Sequence, residues 1–300
     1  MNDLIASNKR RTALLLVGFV ALVVVVGISV GSLAGNGTGG LIVAFGMSAV
    51  FAFTSYWKSD SIALAVSRAH PADEVTYKRL HNLVEGLCIA SGLPKPKVYV
   101  IDDPAPNAFA TGRGPNHAVV CATQGLLSTM PRNEIEGVMA HELMHVKHRD
   151  ILIGSVAAAI ATAISYIAQM AMFASMFGAG GRDDEDRPNP LAMLLMSLLA
   201  PLAASLIQMA VSRSREFEAD RSAAELLGSG HSLANALERI EVLAARSPMA
   251  VAPAQAQAYI HNPLNELRGG RNAGMARLFS THPATEERVR RLRAMTPAHA

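Results

Sequence analysis

The sequence predicts an α-helical membrane protein with a small α+β domain divided in two by a membrane hairpin. Three observations carry that expectation. Half of the 300 residues are apolar and mean hydropathy is positive. The apolar residues gather in four charge-free runs, near 12–34, 41–56, 151–177 and 191–211, which are read as four transmembrane helices. The polar stretches between and after them, 58–150 and 212–300, alternate short β-rich segments with amphipathic helical spacing.

The expected organisation is an N-terminal transmembrane hairpin at 1–57, a first domain part at 58–150, a second hairpin at 151–211 and a second domain part at 212–300. Thr12 to Ala34 is long enough to span a bilayer. Ser32-Leu33-Ala34 resembles a signal-peptide cleavage site, but another apolar run follows at once, so an uncleaved anchor is expected. Gly27 and Gly31 have the small-x-x-x-small spacing that admits a second helix. Gly35 to Gly40 reads as a tight turn, and the run from Leu41 closes on Tyr56-Trp57-Lys58, residues suited to a membrane interface. Lys9, Arg10 and Arg11 put both ends of this hairpin in the cytoplasm.

Ile151 to Phe177 would be ~40 Å long as a helix. Leu191 to Val211 carries Pro201, an expected kink. The loop between holds Asp183-Asp184-Glu185-Asp186 without calcium-loop spacing and with few basic residues, as on a non-cytoplasmic side. This second hairpin is less oily than the first, and a buried helix pair in a soluble core is its rival reading.

Composition excludes some classes. A formal charge of +3 and the absence of any basic, aromatic-studded stripe argue against nucleic acid as a partner. Cys88 and Cys121 form no C-x-x-C pair and read as reduced, buried side chains.

Within 58–150, Val75 to Ser91 has helical spacing, and Lys97-Val98-Tyr99-Val100-Ile101 reads as a strand. Asp102-Asp103-Pro104 is turn chemistry, a simpler role for those carboxylates than ligation. Asn107 to Gly112 alternates like a strand, and His117 to Thr123 is another. Pro131 then suits the first turn of a helix, and Ile135, Val138, Met139 and Leu143 give it one buried face.

That helix carries His141-Glu142-Leu143-Met144-His145. Residues four apart lie on one face, so both imidazoles can reach a single metal ion. Glu142, about 100° round the helix, would sit beside the metal, placed to deprotonate water. The bland alternative is a buried helix with hydrogen-bonded core histidines. Catalytic zinc takes three protein ligands. His148 lies ~10 Å along the axis from His141, too far to share one ion. Glu216 is the better candidate, because it follows the second hairpin as closely as His145 precedes it, and a hairpin returns the chain to its starting surface. Asp220, one turn on, can accept a ring N–H from a ligand histidine; Glu218 points elsewhere.

Together, His141-Glu142-x-x-His145 and Arg215-Glu216-Phe217-Glu218-Ala219-Asp220 resemble the HtpX family of membrane-embedded zinc metalloproteases, relatives of the CAAX prenyl and OMA-type proteases. Asn107 to Gly112 and Phe279-Ser280-Thr281-His282-Pro283, followed by Glu286-Glu287-Arg288, extend the match. The resemblance implies a zincin-type catalytic domain holding one Zn2+ per chain on His141, His145 and Glu216. Glu142 would be the general base, and Asp220 would orient a ligand histidine. Asn107, Ala108, Phe109, Ala110 and Thr111 would form or flank the edge strand that pairs with an extended peptide. His282 would sit near the oxyanion, although a histidine before proline also suits a helix cap.

The resemblance further implies endoproteolysis of misfolded or damaged proteins at the cytoplasmic face of the cell (inner) membrane, with self-cleavage. Partners are protein substrates and the bilayer, with room for a homo-oligomer or membrane quality-control proteins. Rival readings are a processing protease for one substrate and a non-catalytic scaffold, the latter disfavoured by an intact Glu142. A transporter would need polar residues inside the spans. The arginines of the tail, from Arg288 to Arg293, follow Glu286 and Glu287 in the order that suits a helix dipole and read as structural or membrane-facing.

Overall fold

The computed structural model describes residues 2–33, 36–157, 160, 213–246, 259–261 and 283–295. The second hairpin beyond residue 160, the acidic loop, the Pro/Ala/Gln stretch at 247–258 and Phe279–His282 lie outside the described residues.

Helices α1 (Asn2–Leu33) and α2 (Gly37–Trp57) pack side by side, with the Phe19 and Phe51 rings 5.0 Å apart. α2 begins at Gly37, inside the stretch read as the turn, because Asn36 caps it: its Oδ1 accepts the Gly39 N–H at 2.8 Å. Leu14, Val17, Ile42, Phe45, Val50 and Phe53 are exposed on the outside of the pair. No single helix among the described residues is long and apolar enough to cross a membrane. Leu41–Trp57 taken with α3 (Ser59–Ser67), bent from it by 78°, passes by length and composition. The count of four spans therefore rests on the sequence alone.

Both ends of the hairpin dock on the rest of the chain. Asn8 Nδ2 donates to the His148 carbonyl at 3.2 Å, and the Arg113 guanidinium lies 4.3 Å above the Trp57 ring. The basic end of α1 thus lies beside the end of the H-E-x-x-H helix.

Among the described residues the sheet has four strands, not three. Its order is β1 (His70–Pro71), β2 (Lys97–Ile101), β4 (Ala118–Thr123), β3 (Ala108–Gly112), with β2 and β4 parallel and the other pairs antiparallel. β1 escapes sequence reading because a His-Pro pair has no strand pattern; proline tolerates an edge. β3 was expected to alternate but is almost wholly buried, as is β4. Val120 and Ala122 face the helical core, while Phe109, Val119 and Cys121 pack with Ala63, Leu64 and Tyr259 on the other side. Cys88 and Cys121 are free and buried, and burial pushes the Cys88 thiol up to about 11.

Against one face lie α4 (Lys78–Ser91), short α5 (Gln124–Thr129) and α6 (Arg132–His148), then α7 (Arg213–Leu227), α8 (His231–Ala244) and α9 (Thr285–Arg293). Pro131 precedes α6 at the cap, where its carbonyl accepts the N–H groups of Glu134 and Ile135. Val138 and Leu143 of α6 share one core with Val84, Val100, Leu233, Ile240 and Leu292. α6 and α8 approach closely at Gly137, where an added Cβ would lie 2.7 Å from the Leu233 amide nitrogen. Arg239 clamps the same crossing with bonds of 2.6 and 3.0 Å to the buried Glu134 carboxylate. Gly137→Ala is expected to destabilise the fold, since overpacking costs about 1–3 kcal/mol and alanine's helix propensity returns only about 1 kcal/mol. A lower thermal midpoint in detergent would show it; an unchanged or higher one would mean α8 can shift freely.

Candidate active site

The second half of α6 is buried because the sheet covers one side of it and α7 the other. Its apolar stripe turns His141 and Glu142 inward, with relative exposures of 1% and 2%. His145 stands one turn on. The Nε2 atoms of His141 and His145 lie 3.0 Å apart, their rings perpendicular at a centroid separation of 4.6 Å.

α7 brings the third group. Glu216 Oε2 lies 3.8 Å from His141 Nε2, and Oε1 lies 3.5 Å from His145 Nε2. One donor atom from each of His141, His145 and Glu216 falls within a 4.8 Å cluster, as the sequence expected. Two imidazole nitrogens and a carboxylate oxygen are the donor set of a catalytic zinc, whose bonds of about 2.0–2.2 Å require such spacing. His148 is outside the cluster; its Nε2 lies 3.3 Å from Ser222 Oγ. Glu218 faces outward and pairs with Arg221.

Each histidine has a carboxylate behind it. Asp220 Oδ1 lies 2.9 Å from His141 Nδ1, bent away from the ideal hydrogen-bond line. Asp150 Oδ2 lies 2.9 Å from His145 Nδ1. Asp220 also accepts from Arg288, at 2.8 Å from Nε and 2.7 Å from Nη2, and Arg288 Nη1 lies 3.7 Å from Glu216 Oε2. Arg288, read as structural or membrane-facing, is buried at the centre of the site, where it braces Asp220. Its position in the arginine-rich last helix hid it: Val289 and Leu292 share its inward face, while Glu287 occupies Arg290 and Arg291 on the outside. Asp150 was missed because it sits two residues past the helix, where sequence periodicity carries no signal.

Electrostatics separate the two carboxylates that matter most. Burial lifts Glu142 to about 7, with Glu216 adding to the rise while His145, the Ala110 N–H and Arg288 oppose it. Burial also acts to raise Asp220, but the charge and hydrogen bonds of Arg288 hold it at about 2. His145 rises to about 10, since the pull of burial is outweighed by Asp150, Glu216 and Glu142.

β3 is an edge strand, and it passes the site. Asn107 O and Ala108 O point opposite ways, to Thr123 N and Ile260 N respectively, so alternation turns the Ala110 backbone towards the edge, which no strand among the described residues pairs with. That orientation faces the Ala110 N–H towards Glu142, where it acts to lower the carboxyl's pKa. Of the expected substrate strand, Asn107 is engaged with His261, its Nδ2 donating to the carbonyl at 2.9 Å, and Ala108 O is taken by Ile260. Phe109 packs edge-on against Tyr259, and Thr111 Oγ1 meets Ser155 Oγ at 2.8 Å. His282 lies outside the described residues.

The profile of peptidase family M48 matches residues 74–296, which include every one of these groups. The chain belongs to that family. It is similar over nearly its whole length to proteins named "Protease HtpX homolog". The one from Syntrophotalea carbinolica is 51% identical over 291 residues, covering 96% of this chain and 99% of that protein. The one from Burkholderia ambifaria strain MC40-6 is 48% identical over 292 residues, covering 96% and 97%. Among solved structures, it is similar to the crystal structure of Ste24p from S. mikatae, with a TM-score of 0.49 and 18% identity, covering 97% of this chain. The chain spans 66% of the length of that protein. As a member of family M48 and a relative of HtpX proteases, the protein is a metalloprotease.

Proposed function

We propose that the protein is a zinc endopeptidase that cleaves misfolded or damaged proteins at the cytoplasmic face of a membrane, itself included. The observation that carries this reading is the convergence of His141, His145 and Glu216 around one point, with a buried Glu142 beside it near the edge strand β3. These three residues would hold one zinc ion, which when bound supplies a Lewis acid for the scissile carbonyl and acidifies water. Glu142 takes the proton of the attacking water at its carboxylate and returns it to the leaving amine. Asp220 fixes His141 from behind, with Arg288 fixing Asp220 in turn.

An extended peptide would pair with the edge of β3 from Ala110 onward, since Ile260 and His261 already occupy the edge at Asn107 and Ala108. Pairing through main-chain groups selects an unfolded segment more than a sequence, which suits a quality-control protease. His282, from the resemblance alone, is proposed beside the oxyanion.

Membrane attachment is supported by the apolar outer surface of α1 and α2. Sidedness is supported by Asn8, whose bond to His148 sets Lys9, Arg10 and Arg11 next to the site, and basic flanks favour the cytoplasm.

The test is casein digestion by the purified, zinc-loaded chain. Cleavage should disappear with a chelator and return with zinc, and Glu216→Ala should lose both metal and activity. No cleavage at full zinc occupancy would overturn the reading. Unchanged zinc content in Glu216→Ala would remove Glu216 from the ligand set.

A further inference from the structure

The two ligand histidines are backed by carboxylates of different character. Asp220 shares its charge with Arg288, which bonds both of its oxygens. Asp150 gives Oδ2 to His145 Nδ1 at 2.9 Å, and its Oδ1 is buried with no hydrogen-bond partner among the described residues. Asp150 is 6% exposed and therefore little screened by water. Asp150 also bears on the buried Arg215, but its close side-chain contact is with His145 Nδ1, whereas Asp220 gives both oxygens to Arg288.

The backbone is built to hold it there. Arg149 ends α6 in the left-handed conformation, φ 57° and ψ 33°, which a residue other than glycine rarely adopts. The Arg149 and Asp150 N–H groups turn back onto the carbonyls of Val146 and His145. That reversal brings Asp150 under the His145 ring, five residues away in sequence. Asn8 of α1 clips the same turn through the His148 carbonyl.

We propose that Asp150 is a positioning residue for the metal centre: it fixes the Nδ1–H tautomer and ring plane of His145, so that Nε2 is presented as a strong donor, and the left-handed turn at Arg149 places it. A carboxylate behind a ligand imidazole raises the basicity of the ligating nitrogen, and losing such a partner commonly weakens metal binding about 10–100-fold. The inference rests on His145 being a ligand, and the experiment separates the two.

The test uses the full chain in detergent, with Zn2+ titrated against a chromogenic chelator. Asp150→Asn is expected to bind zinc about 10–100-fold more weakly while its thermal midpoint in excess chelator stays near that of the parent. Asp150→Glu, which keeps the charge, should regain part of the affinity. Cobalt substitution gives a second readout, a visible spectrum shifted in Asp150→Asn by the altered ligand field. Zinc affinity within twofold of the parent in Asp150→Asn, or a lowered midpoint in chelator with affinity intact, would reduce Asp150 to a helix-end residue and overturn the proposal. Should Asp150→Asn fail to fold, equal zinc affinities in Asp150→Glu and the parent would overturn it, and a partial loss would support it. His145→Ala serves as the control: if it holds zinc as the parent does, the ligand assignment itself has failed.

Discussion

Glu142→Gln is expected to retain its zinc and to hydrolyse casein about 10²–10⁴-fold more slowly than the parent chain, the usual contribution of a positioned base. Glu142 adjoins a candidate ligand but is not one, since the donor cluster consists of His141, His145 and Glu216. Glutamine keeps the volume of the side chain and can still accept from the Ala110 N–H, so packing around α6 should hold. What it cannot do is take a proton. Burial first, and Glu216 second, lift the Glu142 carboxyl to about 7, which suits a group that must accept a proton from water and give it to an amine. The same shift sets the acid limb of the rate profile. Below about 7 the carboxyl already carries the proton, so kcat/KM should fall as pH falls through that value and level off above it. Zinc content and initial rates on the same preparation decide the matter. Full proteolysis in the variant would show that another group is the base, and loss of zinc would make Glu142 part of the metal's support.

Much of this site was legible in the sequence because its parts lie where local rules apply. His141 and His145 are four apart on a helix, so a 3.6-residue period alone predicts that their side chains meet. Glu216 and Asp220 repeat that spacing on α7 and were reachable by supposing that an apolar hairpin returns the chain to one place. The strands Lys97–Ile101 and Ala108–Gly112 came from residue type and alternation. What escaped was tertiary. Arg288 looks like one arginine among several on a polar helix, and only the packing of Val289 and Leu292 turns it inward. Asp150 reaches His145 through a backbone reversal at Arg149, where nothing in the residue type announces positive φ. The closure of the β3 edge at Ala108 depends on Tyr259–His261, about 150 residues away along the chain. Local periodicity places side chains on faces; it does not say which faces meet.

Arg288→Met should be the most destabilising single change at the site. Arg288 and Asp220 each have side-chain exposures of 3%, and Glu216 has 8%, so water cannot replace the lost cation. Removing one member of a buried ion pair leaves an uncompensated charge and typically costs about 3–5 kcal/mol; here two carboxylates lose the same partner. The pH dependence follows in sign. In the parent chain, burial works to raise Asp220, but Arg288 overrides it and holds the carboxyl at about 2, below its ordinary 3.8. A carboxylate with a depressed folded-state pKa contributes stability above the unfolded value and loses it as pH falls towards the folded one. The parent should therefore give up this contribution only between about pH 4 and 2. Without Arg288, burial acts unopposed, Asp220 takes up its proton at higher pH, and acid unfolding should begin earlier. Thermal melts from pH 2 to 7, run in chelator so that zinc does not mask the change, would measure both effects. Adding Asp220→Asn to Arg288→Met should recover part of the loss, because the stranded charge goes with it. A single variant within about 1 kcal/mol of the parent, with its acid limb unmoved, would mean that the Asp220–Arg288 pair carries little stability and that Asp220 holds His141 unaided.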